Sequence, residues 1–366
     1  MNDTEWMLEA MHEAAKCGWN AHPNPMVGAI IVREGVELGR GYHHGSGTPH
    51  AEVEAIRNAK QRGQDIRNAD MYVTLEPCNH YGKTPPCTEA IIAAGIRRCY
   101  IGTVDSDERV RGSGIQRLKD AGIDCVVGFC EKELRSLNEA FFTRTQFGRP
   151  FVTLKWAMTA DGRTATKTGS SQWITGKLAR EDVHRERARH DGIIAGTRTV
   201  LIDNPQLNVR LDGSSRQPTR IVLDRTLRIP LSHHVFQTDD QKTILFTSRK
   251  DADTSEYLAR NVAVELVDGD EKGLELDAVM ECLAKKYMMT TIYCEGGAAL
   301  HGAMLEHGLI DQIHLYMAPK IIGGDSARGC IGGAGIEKMA DALEFCFSDI
   351  QMLGNDIRIT MKKQQQ

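Results

Sequence analysis

The chain has 366 residues, 41 % hydrophobic and 26 % charged, with a net charge of −4. That length predicts two domains, the balanced charge offers no basic stripe for nucleic acid, and no run of about 18 apolar residues offers a membrane span. The N-terminus carries Asp3, Glu5, Glu9 and Glu13 and lacks the basic start and apolar core of a signal peptide. The ten cysteines are scattered, so a reducing, cytoplasmic setting is expected. In chain order, the pattern predicts strands over 27–32 and 36–42 about a turn at Arg33-Glu34-Gly35, a helix over 51–60 and a strand over 71–75. A helix over 88–94 stops at Gly95, a strand covers 98–104, a helix 115–121 stops at Gly122, and a strand over 123–128 precedes a closing helix over 133–145. Gly148 and Pro150 break that helix and set the boundary between domains 1–147 and 148–366. The second domain alternates again. Strands are expected over 151–157, 193–195, 220–223, 243–247, 262–266, 291–294 and 313–318, and helices over 178–190, 276–287 and 299–307. Such alternation predicts an α/β fold with largely parallel sheets covered by helices.

The chemistry concentrates in His50, Glu52, Cys78 and Cys87. His-x-Glu followed by Pro-Cys fits the zinc deaminase signature, except that eight residues separate the two cysteines where the signature has two. One imidazole and two thiolates leave a fourth position on zinc for water, which then loses its proton more readily. Glu52, two residues from His50 in the first turn of the predicted helix, is placed to carry protons without ligating. Cys87 precedes a helix whose N-terminus is expected to favour its thiolate. A structural zinc knuckle is the alternative, with Asn79 or His80 as fourth ligand, but it leaves Glu52 without a role.

The run from Val73 through Leu75-Glu76-Pro77-Cys78-Asn79-His80-Tyr81-Gly82-Lys83-Thr84-Pro85-Pro86-Cys87 resembles the zinc loop of the bifunctional riboflavin-biosynthesis deaminase/reductase family. His22-Pro23-Asn24-Pro25-Met26-Val27-Gly28 and Gly41-Tyr42-His43 are similar to that family too. So are Thr159-Ala160-Asp161-Gly162-Arg163-Thr164, Ser171-Gln172-Trp173-Ile174-Thr175, Asp203-Asn204-Pro205 and Glu295-Gly296-Gly297. The resemblance spans nearly the whole chain. It implies an N-terminal cytidine-deaminase-like three-layer domain and a C-terminal dihydrofolate-reductase-like domain. It also implies hydrolytic deamination of 2,5-diamino-6-ribosylamino-4(3H)-pyrimidinone 5′-phosphate, with His50, Cys78 and Cys87 on Zn2+, Glu52 as proton donor, and Asn24 on the pyrimidine unless it is only a turn residue. Asp105-Ser106-Asp107-Glu108 departs from the family's Asp-Pro-Asn.

The second half has no G-x-G-x-x-G after its first strand, and instead Glu295-Gly296-Gly297 enters a helix, where paired glycines let backbone approach phosphate. The resemblance implies NADPH reduction of the ribosyl group to ribityl. Ala157, Trp173, Thr199, Asp203 and the run Gly297, Ala298, Ala299, Leu300, His301, Gly302 and Ala303 fall at cofactor positions. Ser171, Arg187, Leu207, Arg210 and Glu295 fall at substrate positions. Arg187 and Arg210 suit a sugar phosphate, although Arg187 also fits a solvated helix face, Trp173 a core and Asp203 a turn cap. Arg225, after a strand, suits the 2′-phosphate of NADPH, and Lys155 suits substrate or imine. The expected partner is a small pyrimidine ribotide, without nucleic acid or membrane, in a chain compatible with a homo-oligomer.

Overall fold

The computed structural model describes residues 1–81, 85–107, 111–213, 216–237, 241–324, 327 and 329–363. Gly82-Lys83-Thr84 of the cysteine loop and Glu108 of the departing segment lie outside the described residues. The chain divides into two compact units, Met1–Gly148 and Arg149–Gln366.

The first unit contains, in order, α1 (Asp3–Ala15), β1 (Gly28–Arg33), β2 (Val36–Tyr42), α2 (Ala51–Gln61), β3 (Asp70–Leu75), α3 (Cys87–Ala93), β4 (Arg98–Thr103), α4 (Ser113–Asp120), β5 (Asp124–Val127), α5 (Glu131–Leu137) and α6 (Glu139–Phe147). Its described strands form one sheet in the order β2-β1-β3-β4-β5. The sheet is mixed rather than largely parallel: β1 runs antiparallel to both β2 and β3, while β3-β4-β5 is parallel. Alternating residues along the strands feed two cores. Ala29, Ile31, Met71, Val73 and Ile101 pack with Ala55, Ile91 and Leu118 of α2, α3 and α4. Ile30, Val32, Tyr72 and Tyr100 pack with Trp6, Met7 and Leu134 of α1 and α5. The result is three layers. Asp3 and Glu5, noted in the sequence only for their charge, open α1, where Asn2 and Glu5 form a capping box. The single helix expected over 133–145 is two. Asn138 stands at the break with a non-helical backbone, φ −113° and ψ 26°, and its side chain is held by Met26: Oδ1 accepts from the Met26 N–H and Nδ2 donates to the Met26 carbonyl.

The second unit contains β6 (Phe151–Thr159), α7 (Lys177–Ala188), β7 (Gly192–Gly196), α8 (Thr197–Asp203), β8 (Thr219–Leu223), β9 (Thr243–Thr247), α9 (Ser255–Ala259), β10 (Val262–Leu266), α10 (Leu276–Lys285), β11 (Thr291–Cys294), α11 (Ala298–Glu306), β12 (Gln312–Ala318), β13 (Phe345–Leu353) and β14 (Asp356–Lys363). The sheet order is β10-β9-β8-β7-β11-β6-β12-β14-β13. It is parallel up to β12, and β14 and β13 add an antiparallel edge that the sequence pattern did not disclose. The chain leaves β6 in one direction towards β7, passing β11, and leaves β11 in the other direction towards β12, passing β6. Connections that diverge from adjacent parallel strands open a crevice at their carboxyl ends. Glu295, directly after β11, and Lys155, on β6, stand at that crevice. At the far edge, the register aligns Phe347 with Met361, Ile350 with Ile359 and Met352 with Ile357 on one face. Phe347, Ile350 and Met352 are 70 %, 62 % and 65 % exposed.

Candidate functional site

In the first unit the functional side chains gather at one end of the sheet, where β3 finishes and the antiparallel β1 begins. Gly28 N–H donates to Thr74 Oγ1 at 3.1 Å and fixes that junction. His50 is the N-cap of α2, in extended conformation, and Glu52 lies buried in the first turn. α2 can sit close to β2 because Gly39 and Gly41 carry no side chain. A Cβ on Gly41 would stand 2.4 Å from the Ala55 nitrogen and 2.7 Å from the Ala51 oxygen. His50 Nδ1 lies 3.1 Å from Cys87 Sγ and 3.4 Å from Cys78 Sγ. One donor atom from each of His50, Cys78 and Cys87 falls within 4.8 Å of the others, the one such group among the described residues.

Cys87 is the first residue of α3, and its N–H donates to Cys78 Sγ at 3.4 Å. The helix terminus therefore favours charge on Cys78 as well, where the sequence expectation named only Cys87. The Cys87 thiol, together with His50, holds the Cys78 thiol down at about 4 against burial, while its bond to Cys78 and its own burial push Cys87 up. Two sulphurs converging beside an imidazole suit a divalent, thiophilic cation. Burial, then the neighbouring Cys78, pushes the Glu52 carboxyl up to about 7. Neither alternative fourth ligand joins the group. Asn79 instead bonds Thr88 and Ser113, and His80 is exposed.

Asn24 is tied to this group through His43, a residue the sequence motif contained but to which no role was given. Asn24 Nδ2 lies 3.1 Å from His43 Nε2, and His43 Nδ1 lies 3.3 Å from the Pro49 carbonyl. Burial lowers the His43 pKa, so the ring is neutral, with Nδ1–H donating to Pro49 and Nε2 accepting from Asn24. The His43 and His50 rings meet edge to face at 5.3 Å.

In the second unit Arg187 is not on a solvated helix face. It is half-buried, with Nε and Nη2 donating to the two carboxylate oxygens of Glu295 at 2.5 and 2.9 Å and Nη1 donating to the Asn208 carbonyl at 2.9 Å. Lys155 Nζ stands 3.7 Å from Glu295 Oε2, and burial lowers its pKa. Burial would raise the Glu295 carboxyl, but Arg187 and then Lys155 hold it at about 2. Arg210 is exposed, and burial followed by repulsion from Arg187 and Arg210 pushes His184 down to about 4. Leu207 points into the core, so only its backbone is available to a ligand.

The expected cofactor positions divide. Gly297 and Ala299 are exposed, Ala298, Leu300 and Ala303 are half-buried, and His301 and Gly302 are turned away. His301 Nδ1 lies 3.0 Å from the Cys330 carbonyl, and a Cβ on Gly302 would stand 2.2 Å from the Gly332 oxygen. Thr199 of α8 closes on the bare Gly297 backbone, its Oγ1 3.2 Å from where a Cβ would be. A helix N-terminus stripped of side chains at a strand-end crevice fits a phosphate-bearing dinucleotide. Ala157 packs against the core under β6. Trp173 is 63 % exposed rather than in a core, with the Arg180 guanidinium 4.7 Å from its ring. Ser171 shares its loop. His234, not Asp203, holds the Asn204 turn, its N–H donating to Asn204 Oδ1 at 2.9 Å. Arg225 is half-buried after β8, and its carbonyl accepts from Thr247 Oγ1 at 2.9 Å.

Residues 1–103 match the cytidine and deoxycytidylate deaminase zinc-binding region, and residues 150–359 match the RibD C-terminal domain. The riboflavin biosynthesis protein RibD of Aquifex aeolicus is 40 % identical over 361 residues, covering 99 % of this chain and 98 % of the relative. That of Escherichia coli is 40 % identical over 369 residues, covering 98 % of each. Among solved structures, Acinetobacter baumannii RibD (form 1) is 37 % identical with a TM-score of 0.87 and 99 % of each chain covered. The Thermotoga maritima diaminohydroxyphosphoribosylaminopyrimidine deaminase/5-amino-6-(5-phosphoribosylamino)uracil reductase is 33 % identical, with a TM-score of 0.85 and 98 % of each covered. No helix among the described residues is long and apolar enough to cross a membrane. Full-length identity at this level, with a zinc-deaminase half followed by a reductase half, means that the chain belongs to the RibD family, the bifunctional deaminase/reductases of riboflavin biosynthesis.

Proposed function

We propose that the first unit hydrolyses the exocyclic amine of 2,5-diamino-6-ribosylamino-4(3H)-pyrimidinone 5′-phosphate, and that the second reduces the product's ribosyl group to ribityl with NADPH. The observation that carries the reading is the convergence of His50, Cys78 and Cys87 beside the buried carboxyl of Glu52. These three residues would hold Zn2+, which, when bound, makes water easier to deprotonate. Glu52 would carry that proton to the ring nitrogen, and then carry a second one, from the hydroxyl added to the carbon, to the amine that leaves as ammonia while the C=O forms. Because His43 engages the Asn24 amide nitrogen, Asn24 Oδ1 is the atom left to accept from the pyrimidine.

In the second unit NADPH, when bound, supplies hydride to C1 of the opened sugar. Gly297 to Leu300, Thr199, Ala157, Trp173 and Asp203 border its site, and Arg225 recognises the 2′-phosphate. Arg210 binds the substrate phosphate, and Arg187 acts mainly by orienting Glu295. Lys155 and Glu295 hold the sugar hydroxyls, with Ser171 and the Leu207 backbone on the rim. A second copy of this chain packs on the apolar face formed by Phe347, Ile350 and Met352 with Met361, Ile359 and Ile357.

A coupled assay with the diaminopyrimidine ribotide tests both halves. The parent protein should release one ammonia and oxidise one NADPH per substrate. Glu52→Gln should keep its zinc and lose deamination by about 10²–10⁴-fold, while still reducing the deaminated product. Zinc loss in Glu52→Gln would overturn the division of roles. In the same assay Arg225→Glu should raise KM for NADPH far more than for NADH, and equal effects would remove Arg225 from the phosphate site.

A further inference from the structure

Glu76 is buried, 4 % exposed, and lies two residues before Cys78 at the end of β3. Its carboxylate accepts four backbone N–H groups. Oε2 takes those of Asp105 at 3.3 Å and Gly112 at 3.0 Å, and Oε1 takes those of Gly114 at 3.0 Å and Ile115 at 3.3 Å. Gly112 is the N-cap of α4, in the left-handed region at φ 78°, and has no side chain with which to cap it. A residue from another strand supplies the cap instead. On the other side of Cys78, Asn79 Nδ2 donates to the Ser113 carbonyl at 3.4 Å, and its Oδ1 accepts from Thr88 Oγ1 at 3.0 Å. Between them α4 presses directly on the loop, since a Cβ on Gly114 would stand 2.0 Å from the Pro77 oxygen.

We propose that Glu76 is a positioning residue for the ligand Cys78, clamping the Pro77–Asn79 peptide onto the N-terminus of α4, a helix that itself supplies no ligand. This rests on the zinc reading above. The clamp requires a carboxylate. Four donors need the roughly four lone-pair positions that only an ionised acid offers, whereas an amide sets two of its own hydrogens against the same N–H groups. Glu76→Gln keeps the shape and reverses half of the bonding, so the peptide shifts away from α4 and takes the Cys78 sulphur with it. Gly114→Ala reaches the same result from the helix side.

The test uses the full-length protein. Zinc transfer to a chromophoric chelator gives a release rate, and the visible spectrum of the cobalt-substituted protein reports ligand geometry, which a residue that only stabilises the fold would not move. NADPH oxidation with the deaminated product shows that the second unit of each variant is intact. Both variants should release zinc at least about tenfold faster, the range for losing a partner that orients a metal ligand, and both should show displaced cobalt bands. Unchanged release and an unchanged spectrum would overturn the proposal. If Glu76→Gln yields no folded first unit, Gly114→Ala decides on the same two readings. A parent protein that takes up neither metal overturns the zinc reading and this proposal together, whereas a metal-binding parent with unmoved variants overturns this proposal alone.

Discussion

Glu295 shows how one carboxylate can hold two cations and carry stability. Its folded pKa, about 2, lies below the ordinary carboxylate value of about 4.3. A depressed acid contributes stability that is fully present above the unfolded pKa and is lost as pH falls towards the folded value. The second unit should therefore weaken as pH drops from about 4.5 to about 2. Glu295→Gln removes that dependence but leaves the half-buried Arg187 and Lys155 without their anion, which at neutral pH should cost up to about 3 kcal/mol, the lower end for a broken buried pair. Urea unfolding at pH 7 and pH 4 checks both parts, and equal midpoints for parent and variant at pH 7 would contradict the ion-pair account. The cluster of His50, Cys78 and Cys87 was legible in the sequence, because His-x-Glu and Pro-Cys are local strings. Glu76 and His43 stood inside quoted motifs without a role. Their partners, α4 and Asn24, are made neighbours only by the fold, and a buried Glu between strand and proline was the one signal available.

At the scale of elements, the helices and strands with regular apolar spacing were legible, and those set by distant partners were not. The β13–β14 pair is one such case, since β13 is exposed along nearly its whole length and so lacks the alternation of a half-buried strand. Asn138 is another, because the distant Met26 holds its side chain at the break between α5 and α6. Gly41 of β2 was read as a motif letter, and the structure gives its reason as space rather than backbone freedom. Gly41→Ala drives a methyl into the Ala51–Ala55 turn of α2. It should destabilise the first unit by about 1–3 kcal/mol and reduce deamination, by moving His50 and Glu52 together, while NADPH oxidation with the deaminated product stays at the parent rate. Full deaminase activity and an unshifted melting transition would show that α2 can retreat without consequence.

At the scale of the molecule, β13 and β14 leave an open apolar face, which the proposed second copy would cover. An apolar patch at a sheet edge is a surface that water disfavours and that an identical copy can cover. Ile350→Lys sits at the centre of that patch and should reduce the mass measured by light scattering to that of one chain, with both activities assayed alongside. A parent protein that is already monomeric at micromolar concentration would refute the second-copy reading.

The place of β11 has a consequence for biosynthesis. It is the middle strand between β7 and β6, yet it is encoded about a hundred residues after β7 begins. As the nascent polypeptide emerges, the zinc-deaminase half can close as soon as its own sequence is out. The reductase half cannot, because its earliest strands have no direct partner in each other and must wait for Thr291–Cys294 to arrive between them. A message truncated just before that codon run would encode the whole deaminase half but leave β6 without both of its neighbours, β11 and β12, so a late premature stop should spare only one of the two catalysts.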